Sequence, residues 1–395
     1  MKRTSPWSPR RTARKEGSSF SLRRAGVASA LGGLAAAAAL TGTAFASPAH
    51  AAPTTAQYKL VLGPVNSQYV GINNNGDIIG IGVDSAAFGR EEGFLLPAGT
   101  TTPEFLGSPG DETDQSTDNQ PQSINDKGVI VGTYGKNEVL PGGGEATIPR
   151  PVIWNDNTTG TDLGVNPSGD AVAFGINNNT IPQIVGTQAG STVTPWLLQG
   201  TTVTNLPTFQ GSTTTEARAI NGNGVVVGDA QKSGSEAAAE WVNGQVSSLG
   251  TLNGGSFSEA LAVNSSGVAV GAATAPGDPV NLFRAVMFSN GKAIDLNVPG
   301  DGVQNAAHAT AINDNGVIVG DDGVLPGLAL VGVDNGFIFQ NGKATELNTL
   351  VALPSNVRLA GARGINNAGD IVGIADVTQS DGSQVSEGYE LVPTK

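Results

Sequence analysis

The stretch Asn313-Asp314-Asn315-Gly316-Val317-Ile318-Val319-Gly320 carries the pattern that decides the fold of this 395-residue chain. An Asn, two variable residues and a Gly lead into β-branched residues and a closing Gly. The pattern recurs seven times, at spacings of 52, 52, 44, 43, 49 and 53 residues. The copies open at Asn73, Asn125, Asn177, Asn221, Asn264, Asn313 and Asn366. A repeat with this period indicates one architecture built from neighbouring units.

Each Asn-x-x-Gly step predicts a tight turn. Asn favours the first position of such a turn because its side chain can bond to nearby backbone, and Gly tolerates the positive φ that the fourth position needs. The third copy departs, since Asn177 is followed by an insertion that reaches Pro182, and we expect a longer loop there. The predicted structural turn residues are Asn73, Gly76, Asn125, Gly128, Asn221, Gly224, Asn264, Gly267, Asn313, Gly316, Asn366 and Gly369.

Every unit contains four short runs of strand-forming residues bounded by Gly, Asn or Pro, and helical periodicity is absent after residue 51. Tight hairpins are predicted between the third and fourth runs at Asn243-Gly244, Asn290-Gly291 and Asn341-Gly342. Four strands in roughly 49 residues are typical of a β-propeller blade. An open solenoid and a pair of smaller all-β domains are the alternatives.

The ends of the chain favour a closed ring over an open stack. The run 58–62 matches a fourth strand but precedes the first unit, and the last unit stops after its third strand at 388–392. We therefore predict an all-β, seven-bladed β-propeller of four-stranded antiparallel blades over residues 52–395, closed by an N-terminal strand that completes the last blade. An open stack would need capping units, which are not evident.

These residues resemble the HAF-repeat proteins, a bacterial family of probable extracellular repeat proteins. The shared phrase is Ala/Gly-Ile-Asn-x-x-Gly followed by an aliphatic pair and Gly, then an aromatic strand and Asp-Leu-Gly, as at 161–164. It covers about residues 58 to 395, although the His-Ala-Phe signature is absent. The resemblance implies export and a propeller-like repeat, and it implies no activity or catalytic residue.

Residues 1–51 are predicted to be a secretory signal peptide. A basic start precedes an Ala/Gly/Leu stretch, and Ser47-Pro48-Ala49-His50-Ala51 fits a small-residue cleavage signal. A retained membrane anchor is the alternative. The pair Arg23-Arg24 suggests the twin-arginine route, with the general secretory route left open.

Composition restricts the classes of partner. Residues 52–395 hold 13 basic and 33 acidic residues, a net charge of −20, which disfavours nucleic acid and anionic membranes. There is no cysteine, so thiol chemistry and disulfides are excluded. We expect a secreted monomer whose partner is an unknown extracellular ligand or a cell-envelope component.

The candidate partner-binding loop lies between the first and second units and carries Asp111, Glu112, Asp114 and Asp118. Long loops on a rigid scaffold commonly bind ligands. Clustered carboxylates also suit calcium, although the spacing is not that of a regular calcium loop. Asp321-Asp322 is a second calcium candidate. No cofactor is required by any motif.

Single aromatic and His side chains are further candidates for sites. Trp154, Trp196 and Trp241 fall at equivalent third-strand positions, which favours core packing over sugar stacking. His308 is the only His of residues 52–395 and the chain has no Cys, so the usual set of zinc ligands is missing there.

The sequence favours a binding or interaction module over an enzyme, and it nominates no catalytic residue. The alternative is an extracellular hydrolase or lyase acting on carbohydrate or peptide through carboxylates at the propeller mouth. The two differ in whether carboxyl groups converge in one place.

Overall fold

The computed structural model describes residues 57–84, 90–110, 119–139, 145–155, 159–166, 169–232, 234–278, 282–299, 306–323 and 335–394. The predicted signal peptide lies outside the described residues. No helix among the described residues has the length and hydropathy needed to cross a membrane.

Within these ranges the chain is all-β, as predicted, with one 3₁₀ turn at Leu347–Thr349. Its strands are β1 Tyr58–Val65, β2 Ser67–Ile72, β3 Ile78–Asp84, β4 Arg90–Leu96, β5 Glu104–Phe105, β6 Gln120–Ile124, β7 Ile130–Val139, β8 Glu145–Trp154, β9 Thr161–Asp162, β10 Ala171–Ile176, β11 Gln183–Ala189, β12 Val193–Gln199, β13 Thr202–Asn205, β14 Thr214–Ile220, β15 Val226–Lys232, β16 Ser235–Val242, β17 Gln245–Gly250, β18 Ser258–Val263, β19 Ala269–Ala273, β20 Arg284–Ser289, β21 Lys292–Asp295, β22 Ala306–Ile312, β23 Ile318–Gly323, β24 Asn335–Gln340, β25 Lys343–Glu346, β26 Val357–Ile365, β27 Ile371–Thr378 and β28 Gln384–Pro393.

Small antiparallel sheets form a β-propeller arrangement. Four sheets have consecutive strands, namely β2–β5, β6–β9, β18–β21 and β22–β25, and a fifth has the order β1-β28-β27-β26. The strands β10 to β17 form a single eight-stranded sheet. Five separate blades are therefore found among the described residues, and the prediction of seven separate blades is wrong.

The physical reason is a parallel contact inside the eight-stranded sheet. The short strand β13 pairs only with Trp196–Gln199 of β12, which leaves the start of β12 with a free edge. Val193 of β12 pairs in parallel with Thr214 of β14, and the Val193 N–H donates to the carbonyl oxygen of Thr213 at 3.2 Å. This contact merges two groups of four strands into one sheet.

Closure by the N-terminal strand is confirmed. β1 runs antiparallel to β28, with Tyr58 opposite Pro393 and Leu62 opposite Tyr389. The backbone N–H of Thr394 donates to the carbonyl oxygen of Gln57 at 2.9 Å. Pairing between the two ends of the described chain covers the edge of β28, which would otherwise be open to association with other strands.

The turn that joins β22 to β23 shows why the repeat begins with Asn. The side-chain oxygen of Asn313 accepts from the backbone N–H groups of Asn315 and Val317 at 3.1 and 3.0 Å. The carbonyl oxygen of Asn313 accepts from the N–H of Gly316, whose φ is +77°. In the third copy the matching bond comes from Gln183, six residues after Asn177, so the loop is longer as expected.

The same asparagines connect one turn to the next. The side-chain Nδ2 of Asn313 donates to the carbonyl oxygen of Asn366 at 3.0 Å, and Asn366 donates to Asn73 at 3.4 Å. Among the described residues the seven bonds close into a ring, and these side chains are only 2% to 5% exposed. The ring runs through Asn73, Asn125, Asn177, Asn221, Asn264, Asn313 and Asn366.

The Gly that closes each repeat is required by a close backbone approach. At Gly320 an added Cβ would lie 1.9 Å from the carbonyl oxygen of His308, and at Gly228 it would lie 1.9 Å from that of Glu216. Both glycines face the first strand of their unit next to a register shift, between Ala309 and Ala311 in one case. Such a β-bulge bends the first strand and re-aims the bulged side chain.

The large aromatic side chains lie in the core, as the sequence favoured. Trp154 and Trp196 are fully buried and Trp241 is 1% exposed. Trp154 and Trp241 donate their indole N–H to the carbonyl oxygens of Gly107 and Pro207 at 2.7 Å. The tight hairpins are also present, because Asn243, Asn290 and Asn341 have φ of 51° to 53° and each precedes a Gly of positive φ.

Replacing Asn313 by Ala should lower the free energy of unfolding by about 3 kcal/mol, because two backbone N–H groups and one buried carbonyl lose their partner. Equilibrium denaturation in urea measures this change. The control is Asn315→Ala in the same turn, which removes one exposed hydrogen bond to Asn367 and should cost less than about 1 kcal/mol. Equal losses would contradict the role given to the buried amide.

Gly320→Ala should destabilise the chain by about 3 kcal/mol or prevent folding, because the new methyl group meets backbone rather than a movable side chain. Gly222→Ala is the control, since the nearest atom to its added Cβ lies 3.9 Å away. We expect the control to stay within about 0.5 kcal/mol of the parent. Thermal unfolding of both variants compares them, and a fully stable Gly320→Ala protein would refute the steric explanation.

Candidate functional site

The loop nominated from the sequence, with Asp111, Glu112, Asp114 and Asp118, lies outside the described residues. Asp321 and Asp322 are described, and they do not act together. Asp321 contacts His308 and Arg363, whereas Asp322 is 1% exposed and accepts from the N–H of Asn335. Each carboxylate is therefore engaged on its own side of β23.

A cluster of charged side chains, buried except for the half-buried Glu236, lies elsewhere, between the eight-stranded sheet and the β18–β21 sheet. We call it the acidic cluster, and its members are Glu216, Arg218, Asp229, Glu236 and Glu259. Glu216 and Glu259 lie near the starts of β14 and β18, at the ends away from the Asn turns.

Strand register explains why these residues meet. Asp229 of β15 is paired with Glu216 on one side and with Ala238 on the other. Glu236 lies two residues before Ala238 and so shares its face of the strand. Arg218 falls at the register shift between Ala217 and Ala219, where a bulge re-aims it.

The guanidinium of Arg218 is shared between two of the carboxylates. Its Nη2 lies 2.5 Å from Oε2 of Glu216, and its Nε lies 3.4 Å from Oδ1 of Asp229. The guanidinium also stacks 5.0 Å from the ring centre of Phe174. One oxygen from each of Asp229, Glu236 and Glu259 lies within 4.8 Å of the others.

Four carboxyl groups thus surround one guanidinium, and burial raises the pKa of all four. The pKa of Glu216 rises to about 7 because burial disfavours its charged form, against the attraction of Arg218. The pKa of Glu236 rises to about 8 through burial and the charge of Asp229. Burial raises the pKa of Asp229, against the attraction of Arg218 and the hydrogen bond that Asp229 shares with Glu236.

A second charged group, formed by His308, Asp321 and Arg363, adjoins the cluster. Nδ1 of His308 lies 3.4 Å from Oδ1 of Asp321, whose other oxygen bonds Arg363. Burial opposes charge on His308, yet the bond to Asp321 raises its pKa overall. For Asp321 burial likewise opposes charge, and Arg363 and His308 hold its pKa well below the usual range.

Sequence reasoning missed the acidic cluster although a signal existed. Aligning the repeats on the closing Gly places Asp229 and Asp321 directly after it, where other units carry residues such as Ile81 or Ala272. A carboxylate in an otherwise apolar strand position is costly unless it is paired, which singles out these units.

A groove lies apart from the cluster, at the ring closure. Its volume is about 500 Å³, and residues of β1 and β28 face residues of β2, β3 and β4 across it. Its lining includes Ser67, Tyr69, Phe94, Phe105 and Glu390. Tyr69 and Phe94 meet edge to face at 6.0 Å between ring centres.

The acidic cluster suits a small cation better than an organic substrate. Asp229 and Glu259 are 2% and 5% exposed, so a sugar ring or peptide does not reach their oxygens in this arrangement. Carboxylate oxygens are the ligands that hard divalent cations prefer.

No family model matches the chain, and no curated protein matches it either. The solved structures that are similar to it include the following three. A protein of unknown function from Dyadobacter fermentans DSM 18053 is 11% identical over 87% of this chain and 97% of that chain, with a TM-score of 0.39. A mutant of the Bombyx mori GH32 β-fructofuranosidase BmSUC1, in complex with sucrose, is 10% identical over 85% and 90%, with a TM-score of 0.31. YCF48 bound to D1 peptide is 12% identical over 89% and 100%, with a TM-score of 0.32. At these identities and TM-scores the similarity supports no conclusion about activity.

The raised pKa values predict that stability falls as pH rises. In chelator-treated protein the folded state keeps protons on Glu216 and Glu236 that the unfolded chain releases above about pH 4.5, the usual value for Glu. The free energy of unfolding should therefore be higher at pH 5 than at pH 8, and the raised pKa of His308 acts in the same direction.

Thermal unfolding at the two pH values measures this difference. Glu236→Gln is neutral throughout, so the variant should show a smaller change between pH 5 and pH 8 than the parent. Greater stability of the parent at pH 8 would show that these carboxyl groups are not buried and protonated as described.

Proposed function

We propose that this protein is an exported propeller scaffold that binds an extracellular ligand through the face opposite its Asn turns. The observation that carries the proposal is the difference between the two faces. Six of the seven Asn loops have five residues each, as at 313–317, and they are bonded in a ring. The opposite connections range from the single residue Asn66 to the segment 106–119.

Rigid turns on one side and loops of variable length on the other are typical of scaffolds whose binding residues lie on loops. The four carboxylates of the loop 111–118 and the net charge of −20 over residues 52–395 favour a basic or cation-bridged partner. The seven bonded Asn turns mark seven sequence units, two of which share the eight-stranded sheet. Export and membership of the HAF-repeat group stay part of the proposal.

An extracellular hydrolase is the second candidate, because carboxyl groups do converge in the acidic cluster. Their burial disfavours it. Incubating the parent protein and Glu236→Gln with a panel of glycans and peptides would test this candidate. If the enzyme uses this carboxyl group, the parent should form product and the variant should form none.

Binding to an immobilised glycan panel and to isolated bacterial cell wall tests the main proposal. We expect the combined loop variant Asp111→Asn, Glu112→Gln, Asp114→Asn and Asp118→Asn to lose about tenfold or more in affinity. A matched control carries the same change in charge on the Asn-turn face, with Asp77→Asn, Asp126→Asn, Asp314→Asn and Asp370→Asn. Unchanged binding by the loop variant, or loss only in the control, would contradict the assignment of the face.

A further inference from the structure

We propose that the acidic cluster is a site for a divalent cation of the calcium class, held by Asp229, Glu236 and Glu259. The site goes beyond the proposed loop-face binding, because it lies between two sheets and uses none of the loop residues. Its three side chains come from β15, β16 and β18, so a bound ion would join the eight-stranded sheet to the next sheet.

The distances fit an oxygen-coordinated ion. The three carboxylate oxygens lie within 4.8 Å of one another. Two calcium–oxygen bonds of about 2.3–2.6 Å each span about the same distance when they lie on opposite sides of the ion. Three carboxylates offer up to six oxygens, and calcium accepts six to eight, which leaves room for water.

Glu259 is the side chain that points to a ligand. It is 5% exposed, and among the described residues its carboxylate has neither a hydrogen bond nor an ion pair. Burial of an unpaired carboxylate is costly, which is why its pKa is raised. His308 and Arg218 attract this carboxylate without a hydrogen bond to it among the described residues, so a cation bound between Glu259, Asp229 and Glu236 would give its oxygen a direct partner.

The charges around the site leave a deficit that an ion would fill. Arg218 contacts Glu216 and Asp229, and its single positive charge offsets one of the four carboxylate charges. The next cation, Arg363, bonds Asp321, and His308 contacts Asp321 and also attracts Glu259. The negative charge that remains in the cluster can be neutralised by protons or by a divalent ion.

Isothermal titration of the chelator-treated full chain with calcium chloride tests the site. We expect one ion bound per chain at this cluster and a rise in the unfolding midpoint at about 1 mM calcium. Glu259→Gln should lower the affinity about tenfold or more. In chelator it should unfold no earlier than the parent, since an amide replaces a buried unpaired carboxyl.

Two controls separate this site from other carboxylates. Glu240→Gln changes a partly exposed side chain of β16 that bonds Ser247, and it should leave the titration unchanged. The loop variant at positions 111–118 should also bind calcium at the cluster with the affinity of the parent. This holds even if the variant no longer binds the ligand of the loop face. If Glu259→Gln does not fold, Glu236→Gln takes its place with the same expected loss.

Absence of any calcium, magnesium or manganese binding by the parent would overturn the proposal. So would equal affinities of the parent and Glu259→Gln, or loss of binding in the loop variant alone. In those cases the carboxyl groups are neutralised by protons only.

Discussion

The ring of side-chain hydrogen bonds between the Asn turns is the interaction on which the rest of the structure depends. Each Asn uses its oxygen to close its own turn and its nitrogen to reach the next one, as Asn264 does for Asn313. These amides are buried, so no water replaces a lost partner at low cost. The bond from Asn366 to Asn73 joins positions 293 residues apart, and Asn366 belongs to the same sheet in which β1 pairs with β28.

With the turns fixed, the closing Gly and the bulge that faces it set the first strand of each unit. The bulge positions then become the places where side chains differ between units. Arg218 meets Asp229 of the paired strand β15, and Arg363 meets Asp321 of the neighbouring sheet. The acidic cluster lies towards the opposite ends of these strands from the Asn turns. The Asn turns are thus bonded to one another at one face of the scaffold, and the charged residues of the acidic cluster lie nearer the other face.

Much of this fold was predictable because its determinants are local. The Asn-x-x-Gly steps, the Asn-Gly hairpins and the spare strand at Tyr58–Val65 are visible in the sequence, and the structure contains them. The merging of two strand groups was not predictable, because it rests on a single contact between Val193 and Thr214. The acidic cluster was missed for a related reason. Glu259 meets Asp229 only after two separate sheets pack together, and no spacing along the chain encodes that distance.

Scalar coupling across hydrogen bonds, measured by NMR on isotope-labelled protein, tests the ring most directly. The account predicts correlations from each side-chain amide nitrogen to the carbonyl carbon of the following Asn, with the last running from Asn366 to Asn73. It also predicts that these amide protons exchange slowly with solvent. Side-chain amides that exchange as fast as exposed ones, with no correlation between Asn366 and Asn73, would contradict the account.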